Sequence, residues 1–295
     1  MNALSHLDPR IHKMMERSSE ERVGYIMAEK FVPYPLAVYL IDEVKSILSQ
    51  DAADRYKCML IYAAPGGGKT MILNECRRVF ANKRIRFNAD LSSGKDPFVL
   101  VSLPPISDLR VMYFRILDIL HIPYAQNDKI GPLHEQVCRA LHNAGTRILG
   151  IDEIHNILLA KKDLEACMAA IRDLANLPLS LLCAGTLAAR HCIAADEQLR
   201  VRFRCHELLA WQISENTRNF LATLEARLPL EKPSHLSGSE MMPLIIRLSQ
   251  GHIGTMVVAV REAARDAVRS GEEVISEKGI KLSVERVLSQ RLKVA

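Results

Sequence analysis

"AAPGGGKT", residues 63–70, departs at one position from the phosphate-binding pattern G-x-x-x-x-G-K-[ST]: Ala63 stands where the first glycine belongs. A loop of this kind turns successive backbone N–H groups inward around phosphate oxygens, which demands torsions that side chains resist. Gly66, Gly67 and Gly68 supply three permissive positions in a row. Lys69 reaches the terminal phosphates as a point charge. Thr70 offers a hydroxyl to Mg²⁺ and opens a helix whose positive end faces the phosphates. Pro65 and Met71 flank the loop and complete the nucleotide-contacting set. Ala63 falls at a strand end, ahead of the wrapping region, and alanine is the smallest substitute for glycine. The plain alternative is a glycine-rich turn with an incidental lysine. Against it stands the context, an apolar strand before the loop and a helix after it.

Working outward, strand and helix signals alternate. "CMLIYA" (58–63), "PFVLVSL" (97–103), "RILGIDE" (147–153), "LSLLCAG" (179–185) and "CHELLA" (205–210) read as strands. Between them, 70–82, 107–120 (with Ser107 as N-cap), 131–145 (stopped by Gly145) and 163–177 have helical period. Such alternation predicts an α/β domain around a mainly parallel sheet. From about residue 213 only helical signals follow, so a small all-helical C-terminal domain is expected. Residues 1–30 form a polar leader with one helix, capped by Ser18 or Ser19 with Glu20 and Glu21 in its first turn. "FVPYP" (31–35) is a rigid link, since each proline restricts its own torsion and its predecessor's. The expected division is leader and linker 1–35, α/β core 36–212 and helical domain 213–295.

Bulk properties exclude several classes. The chain has 295 residues, 48% hydrophobic and 25% charged, an ordinary globular composition. Aromatic residues make up only 5%, too few for an aromatic platform on single-stranded nucleic acid to be the main business. A net charge of +5 is a mild bias towards anionic partners. The seven cysteines are odd in number, scattered and without a C-x-x-C, which argues against a disulfide framework or zinc site and for free thiols in a reducing cytosol. The charged N-terminus is no secretory signal. No apolar run approaches the roughly 18 residues of a membrane span, so no membrane partner is expected.

Three further stretches carry chemistry. In "ILGIDEIHN" (148–156), Asp152 and Glu153 close an apolar strand about 80 residues beyond the loop, as a Walker B element does. Asp152 would help hold Mg²⁺, and Glu153 would orient and deprotonate the attacking water. The plainer reading is an acidic strand end capping the next helix. "LLCAGT" (181–186) ends a later strand on Thr186, either a sensor of the γ-phosphate or a helix N-cap. "EQLRVRFRCHEL" (197–208) places Arg200, Arg202 and Arg204 at alternate positions, on one face if the stretch is extended. One of them would act in trans at a neighbouring subunit's phosphates, or all form a solvated basic edge. His155 reads as a structural histidine or a group orienting a polar partner near the phosphates. "ANKRIRF" (81–87) reads as a solvated basic loop, and Arg261 is a candidate nucleotide sensor in the helical domain.

These motifs, with "FVPYP", "VSLPP" (101–105), "ILDILHIPY" (116–124), "GIDEIHNIL" (150–158), "LCAGT" (182–186), "RFRCHELLAW" (202–211) and "SQGHIG" (249–254), resemble the TniB family of bacterial transposition ATPases, related to the TnsC and MuB AAA+ regulators. The likeness spans roughly residues 20–275. It implies an AAA+ P-loop NTPase with a parallel sheet core and a small helical lid domain, using ATP and Mg²⁺ in the bacterial cytoplasm. It further implies a homo-oligomer, ring or filament, on double-stranded DNA without sequence preference. Its implied partners are a DDE transposase, which it recruits and activates, and a TniQ-type targeting protein. Lys69, Thr70, Asp152 and Glu153 fall on matching positions, and Arg202 is the arginine best matched to a trans role. Another DNA-handling ATPase of this type, a helicase or clamp loader, shares the motifs and remains open. A small-molecule kinase or a nucleotide-gated scaffold is a third reading, and the Asp152–Glu153 pair argues against the kinase.

Overall fold

The computed structural model describes residues 4–49, 58–86, 96–105, 108–158 and 163–294. They form two compact units, one of residues 39–65 and 69–208, the other of 1–38, 66–68 and 209–295.

The first unit is built on a five-stranded sheet of β1 (Cys58–Tyr62), β2 (Phe98–Ser102), β3 (Ile148–Asp152), β4 (Ser180–Gly185) and β5 (Phe203–Glu207). The strand order is β2-β3-β4-β1-β5, and every neighbouring pair is parallel. β1, β3 and β4 are buried along their whole length, as continuous apolar runs covered on both faces must be. Residues alternate between faces. Cys58, Leu60 and Tyr62 join one large apolar cluster with Val99, Leu149, Ile151 and Leu181. Full burial of a leucine such as Leu60 stabilises the fold by about 1.5–3 kcal/mol.

Helices drawn from residues 39–49 and 69–200 flank the sheet. In chain order, the helices of the molecule begin with α1 (His12–Met15), α2 (Ser19–Met27), α3 (Pro35–Ser49), α4 (Lys69–Arg86) and α5 (Leu109–Ile119). There follow α6 (Ile130–Asn143), α7 (His155–Leu158), α8 (Leu164–Asn176), α9 (Leu187–Ala195) and α10 (Glu197–Arg200). Gly150 in β3 lets Leu100 of β2 lie across it, for a Cβ there would sit 2.7 Å from Leu100 Cδ1.

Several expectations shift. The fifth strand begins at Phe203 rather than 205 and ends at Glu207. It is an edge strand with Arg204, Cys205 and Glu207 exposed, so no apolar run marks it. α4 runs on to Arg86 through the stretch expected to be a basic loop, because lysine and arginine sustain a helix well. Phe87 lies outside the described residues. α5 is capped by Asp108, whose side chain accepts from Val111 N; Ser107 also lies outside the described residues.

The second unit is helical: α1, α2 and the start of α3, with α11 (Glu215–Glu225), α12 (Met241–Ser249), α13 (Ile253–Ser270) and α14 (Glu277–Val294). α2 opens with a capping box, Ser18 and Glu21 each satisfying the other's backbone N–H. It packs along α13 and is locked there by Arg22, whose guanidinium pairs with Glu273 and donates to Pro229 O, with both charges buried. In the same unit Tyr34 meets Trp211 and Phe220 edge-on, and those two rings tilt against each other, with centroids 4.8–6.1 Å apart. Gly66–Gly68 pack with this unit. The N–H of Gly254 donates to Gly66 O at 2.8 Å, and a Cβ on Gly254 would come equally close to that oxygen.

Candidate nucleotide site

In a parallel sheet of this order, functional loops emerge where the strands end. β1, β4 and β3 lie side by side, so the segments after Tyr62, Gly185 and Asp152 are neighbours. Ala63 N donates to Gly185 O at 3.2 Å, and Ile154 N to Ala184 O at 2.9 Å, which ties the three strand ends together. The motifs at 63–70, 152–153 and 186 are thereby brought to one edge.

Within the loop, Gly66 (φ 78°) and Gly68 (φ 87°) adopt left-handed torsions. These are the positions that require glycine; Gly67 does not take one. Ala63 is buried at the strand end with no left-handed torsion, so its methyl group meets no backbone penalty.

Lys69, the first residue of α4, is buried, and its Nζ donates to the carbonyls of Ala63 (3.2 Å) and Ala64 (3.3 Å). The ammonium thus rests on the loop's own oxygens. Burial pulls its pKa below the usual lysine value, and the charges of Glu153 and then Asp152 oppose that fall. Thr70 Oγ1 donates to Asp152 Oδ2 at 2.6 Å, joining the loop to the end of β3. Asp152 is buried, and its other oxygen, Oδ1, accepts from Glu153 N at 2.9 Å. Two oxygens from Thr70 and Asp152 side by side suit Mg²⁺, which takes one or two protein oxygens and completes its shell with phosphate and water. Among the described residues no cluster of three or more His, Cys, Asp or Glu side chains could hold a metal alone.

Glu153 is half-exposed and takes a left-handed φ of 56°, uncommon for a residue with a side chain. Its Oε2 lies 3.2 Å from His155 Nε2. Thr186 occupies the N-cap position of α9 but makes no capping hydrogen bond through its side chain, so that hydroxyl is not spent on the helix. Pro65 is exposed and Met71 half-buried.

The three arginines do not share a strand face. Asp196 caps a one-turn helix by accepting from Leu199 N, so Arg200 ends α10 rather than extending β5. Arg202 donates to Ala175 O, and Arg204 pairs with Glu43 at 2.7 Å. Arg202 precedes β5 and sits at the strands' N-terminal end, since Cys58 N donates to its carbonyl. The loop lies at the opposite end, about four strand steps or roughly 13 Å away. Arg261 is buried in the helical unit and donates to Lys30 O at 3.0 Å. The first turn of α13 carries no arginine at all, and Arg261 lies two turns further on.

The partner of Glu153 was not assigned from sequence, where His155 reads first as a structural residue. Only its spacing, two positions past the acid on the first turn of α7, could have pointed to it.

A parallel sheet in this order, with the loop after β1 and paired acids at the end of β3, defines the AAA+ fold of P-loop proteins. The fold aligns with the Aeropyrum pernix ORC1 protein in complex with DNA (TM-score 0.66, 15% identity, 90% of this chain and 69% of that one). It also aligns with the Aeropyrum pernix ORC2 protein in its ADPNP–ADP complexes (TM-score 0.64, 15% identity, 89% and 70%). Domain III of the Thermotoga maritima replication initiation protein DnaA aligns at TM-score 0.54, with 14% identity over 87% of this chain and 94% of that domain. No curated protein sequence matches. The family model described as "Bacterial TniB protein" matches residues 22–213, more than half of the chain, and the chain belongs to the TniB family. No helix among the described residues is long and apolar enough to cross a membrane.

Proposed function

We propose that this protein is a Mg²⁺-dependent ATPase that assembles on double-stranded DNA in its ATP-bound form and there recruits and activates a DDE transposase. The observation that carries the ATPase reading is the Thr70–Asp152 hydrogen bond, which puts two oxygen ligands beside the loop lysine. Family membership carries the transposition context. Thr70 and Asp152 would hold the Mg²⁺, whose contribution is to neutralise charge on the β- and γ-phosphates.

The chain's own groups do the rest. The backbone N–H groups of Gly66–Gly68 bind phosphate oxygens. Lys69 exchanges the carbonyls of Ala63 and Ala64 for phosphate, a charged acceptor that repays its burial. Glu153 takes a proton from water as the water oxygen bonds to the γ-phosphorus, and the β–γ bridging oxygen leaves with ADP. Thr186, which follows β4 at this edge, would offer its hydroxyl to the γ-phosphate or the water. Arg202, at the far end of the sheet from its own loop, can serve only a neighbouring subunit's phosphates. To do so it must release Ala175 O. A ring or filament of subunits in the bacterial cytoplasm supplies that neighbour, and a TniQ-type protein is a further partner.

DNA contacts in this reading are to phosphates, so affinity falls steeply with salt. The deciding experiment compares duplex-DNA binding and assembly with ATP, with ADP and in Glu153→Gln. ATP and Glu153→Gln should favour assembly and ADP should reverse it. If nucleotide state changes neither binding nor assembly, the mechanism fails. The fold's likeness to an ORC1 protein in complex with DNA and to a replication initiation protein favours as second reading another DNA-handling AAA+ protein such as a helicase or clamp loader. Duplex unwinding or clamp opening, in place of transposase stimulation, would select it.

A further inference from the structure

Among the described residues of the α/β unit, histidine meets a carboxylate at His206–Glu43 (3.3 Å) and at His155–Glu153 (3.2 Å), and the second involves an acid of the candidate site. Here a half-exposed carboxylate meets a largely buried imidazole at 3.2 Å, Glu153 Oε2 to His155 Nε2. The other ring nitrogen, Nδ1, is buried and has no hydrogen-bond partner among the described residues. A buried N–H left unpaired costs more than a bare lone pair, which places the ring proton on Nε2, facing the carboxylate.

The backbone that carries the histidine is anchored on both sides, whereas the glutamate side chain is free to turn. Ile154 is fully buried and its N–H is fixed to Ala184 O. Asn156 donates from Nδ2 to Leu103 O at 2.9 Å and from its backbone to Glu153 O at 2.9 Å. These two anchors hold the backbone of His155 between them. Glu153 has its backbone set by the left-handed torsion and by its N–H to Asp152 Oδ1, while its side chain keeps three rotatable bonds. His155 is the group that chooses among those rotamers.

We infer that His155 is a positioning residue for Glu153: its Nε2–H holds Oε2 and leaves Oε1 to receive the proton of the attacking water. This rests on the hydrolysis reading above. It predicts that the role belongs to a donor at the ε position and not to imidazole as such. Glutamine places its amide nitrogen there; asparagine places it at the δ position, where there is no partner.

The test measures steady-state phosphate release with duplex DNA for wild type, His155→Ala, His155→Asn and His155→Gln. Fluorescent-nucleotide binding and thermal melting are run in parallel. The expected result is a kcat roughly tenfold lower for His155→Ala and His155→Asn, since a loosely held base forfeits part of the 10²–10⁴-fold it supplies. His155→Gln should recover to within about threefold of wild type. Nucleotide affinity and melting temperature should stay level throughout. Added to Glu153→Gln, His155→Ala should have no further effect on kcat. Wild-type turnover in His155→Ala, equal rescue by asparagine and glutamine, or a further loss in the double variant would each overturn the inference. A faster His155→Ala would also overturn it, by making the contact a brake. Failure of the underlying reading looks different: wild type itself would release no phosphate, or Lys69→Ala would bind nucleotide as tightly as wild type.

Discussion

Thr70 and Asp152, 82 positions apart in the chain, meet at 2.6 Å through a hydroxyl that donates to a buried carboxylate. The contact joins the helix after β1 to the end of β3 with β4 lying between their strands, so it depends on the whole central sheet being in register. Removing the ligand oxygen should therefore cost chemistry more than folding. Asp152→Asn keeps the shape and one oxygen but loses the charge that would face the metal. Loss of several kcal/mol of transition-state stabilisation corresponds to a fall in phosphate release of roughly 10²–10³-fold. Thr70→Ser, which keeps the hydroxyl, should lose little. Phosphate release across a Mg²⁺ titration checks both.

Ala63 and Gly66 should respond in opposite ways. Ala63→Gly restores the strict loop pattern, yet Ala63 takes no left-handed torsion and its methyl is buried. That substitution should leave nucleotide affinity within about threefold while lowering stability by about 1–2 kcal/mol, the lost methyl and the added chain freedom together. Gly66→Ala forces a side chain onto φ 78° and should weaken nucleotide binding by about tenfold, a cost of 1–2 kcal/mol in the left-handed region. Binding titrations beside urea melts separate the two effects.

The candidate site was legible where chemistry and period coincide. Apolar strands ending in "GGGKT" and "DE" announce both the fold and the edge where the candidate residues gather, because a buried parallel strand must be apolar and its loops emerge where it ends. Position 203 was less legible, since an edge strand with one covered face carries charges through its length. Arg200–Arg204 misled because one aspartate, Asp196, starts a helical turn in what alternation alone reads as extended chain. Arg261 looks available in sequence but is committed to Lys30 O, a partner 231 positions away that no local pattern reveals. His155 needed the structure for another reason. Its significance lies in one nitrogen meeting Glu153 while the other meets nothing.

The Arg22–Glu273 pair should be a large single contributor to the helical unit. Both side chains are buried, the guanidinium also donates to Pro229 O, and Glu231 N donates to Glu273 Oε2 at 3.3 Å. Arg22→Met leaves an unpaired buried carboxylate and should cost about 3–5 kcal/mol. Arg22→Met combined with Glu273→Met should recover part of that loss, because the stranded charge is removed with its partner. Urea unfolding of the full chain measures the cycle. Equal stability of single and double variants would show that the charge is not what the site must satisfy.

Lys30 gives the helical unit a definite pH dependence. Burial, and then the charge of Arg261, lower its pKa from 10.5 to about 8, while its Nζ donates to Tyr25 O at 3.2 Å. Below pH 8 the ammonium is charged in both the folded and unfolded chain, and the folded state carries the full penalty. Between about 8 and 10.5 the unfolded chain binds more protons than the folded one, so stability rises with pH through that window. Tyr34 acts oppositely but later: burial raises its pKa from 10.0 to about 12, so its contribution is lost only as pH climbs above 10. Lys30→Met keeps the aliphatic stem and removes the titrating group. Between about pH 7.5 and 9.5, denaturation midpoints of wild type should climb relative to those of Lys30→Met. The variant should hold its largest advantage at the acid end of that range and lose it towards the alkaline end, where a parallel pair of curves would refute the assignment.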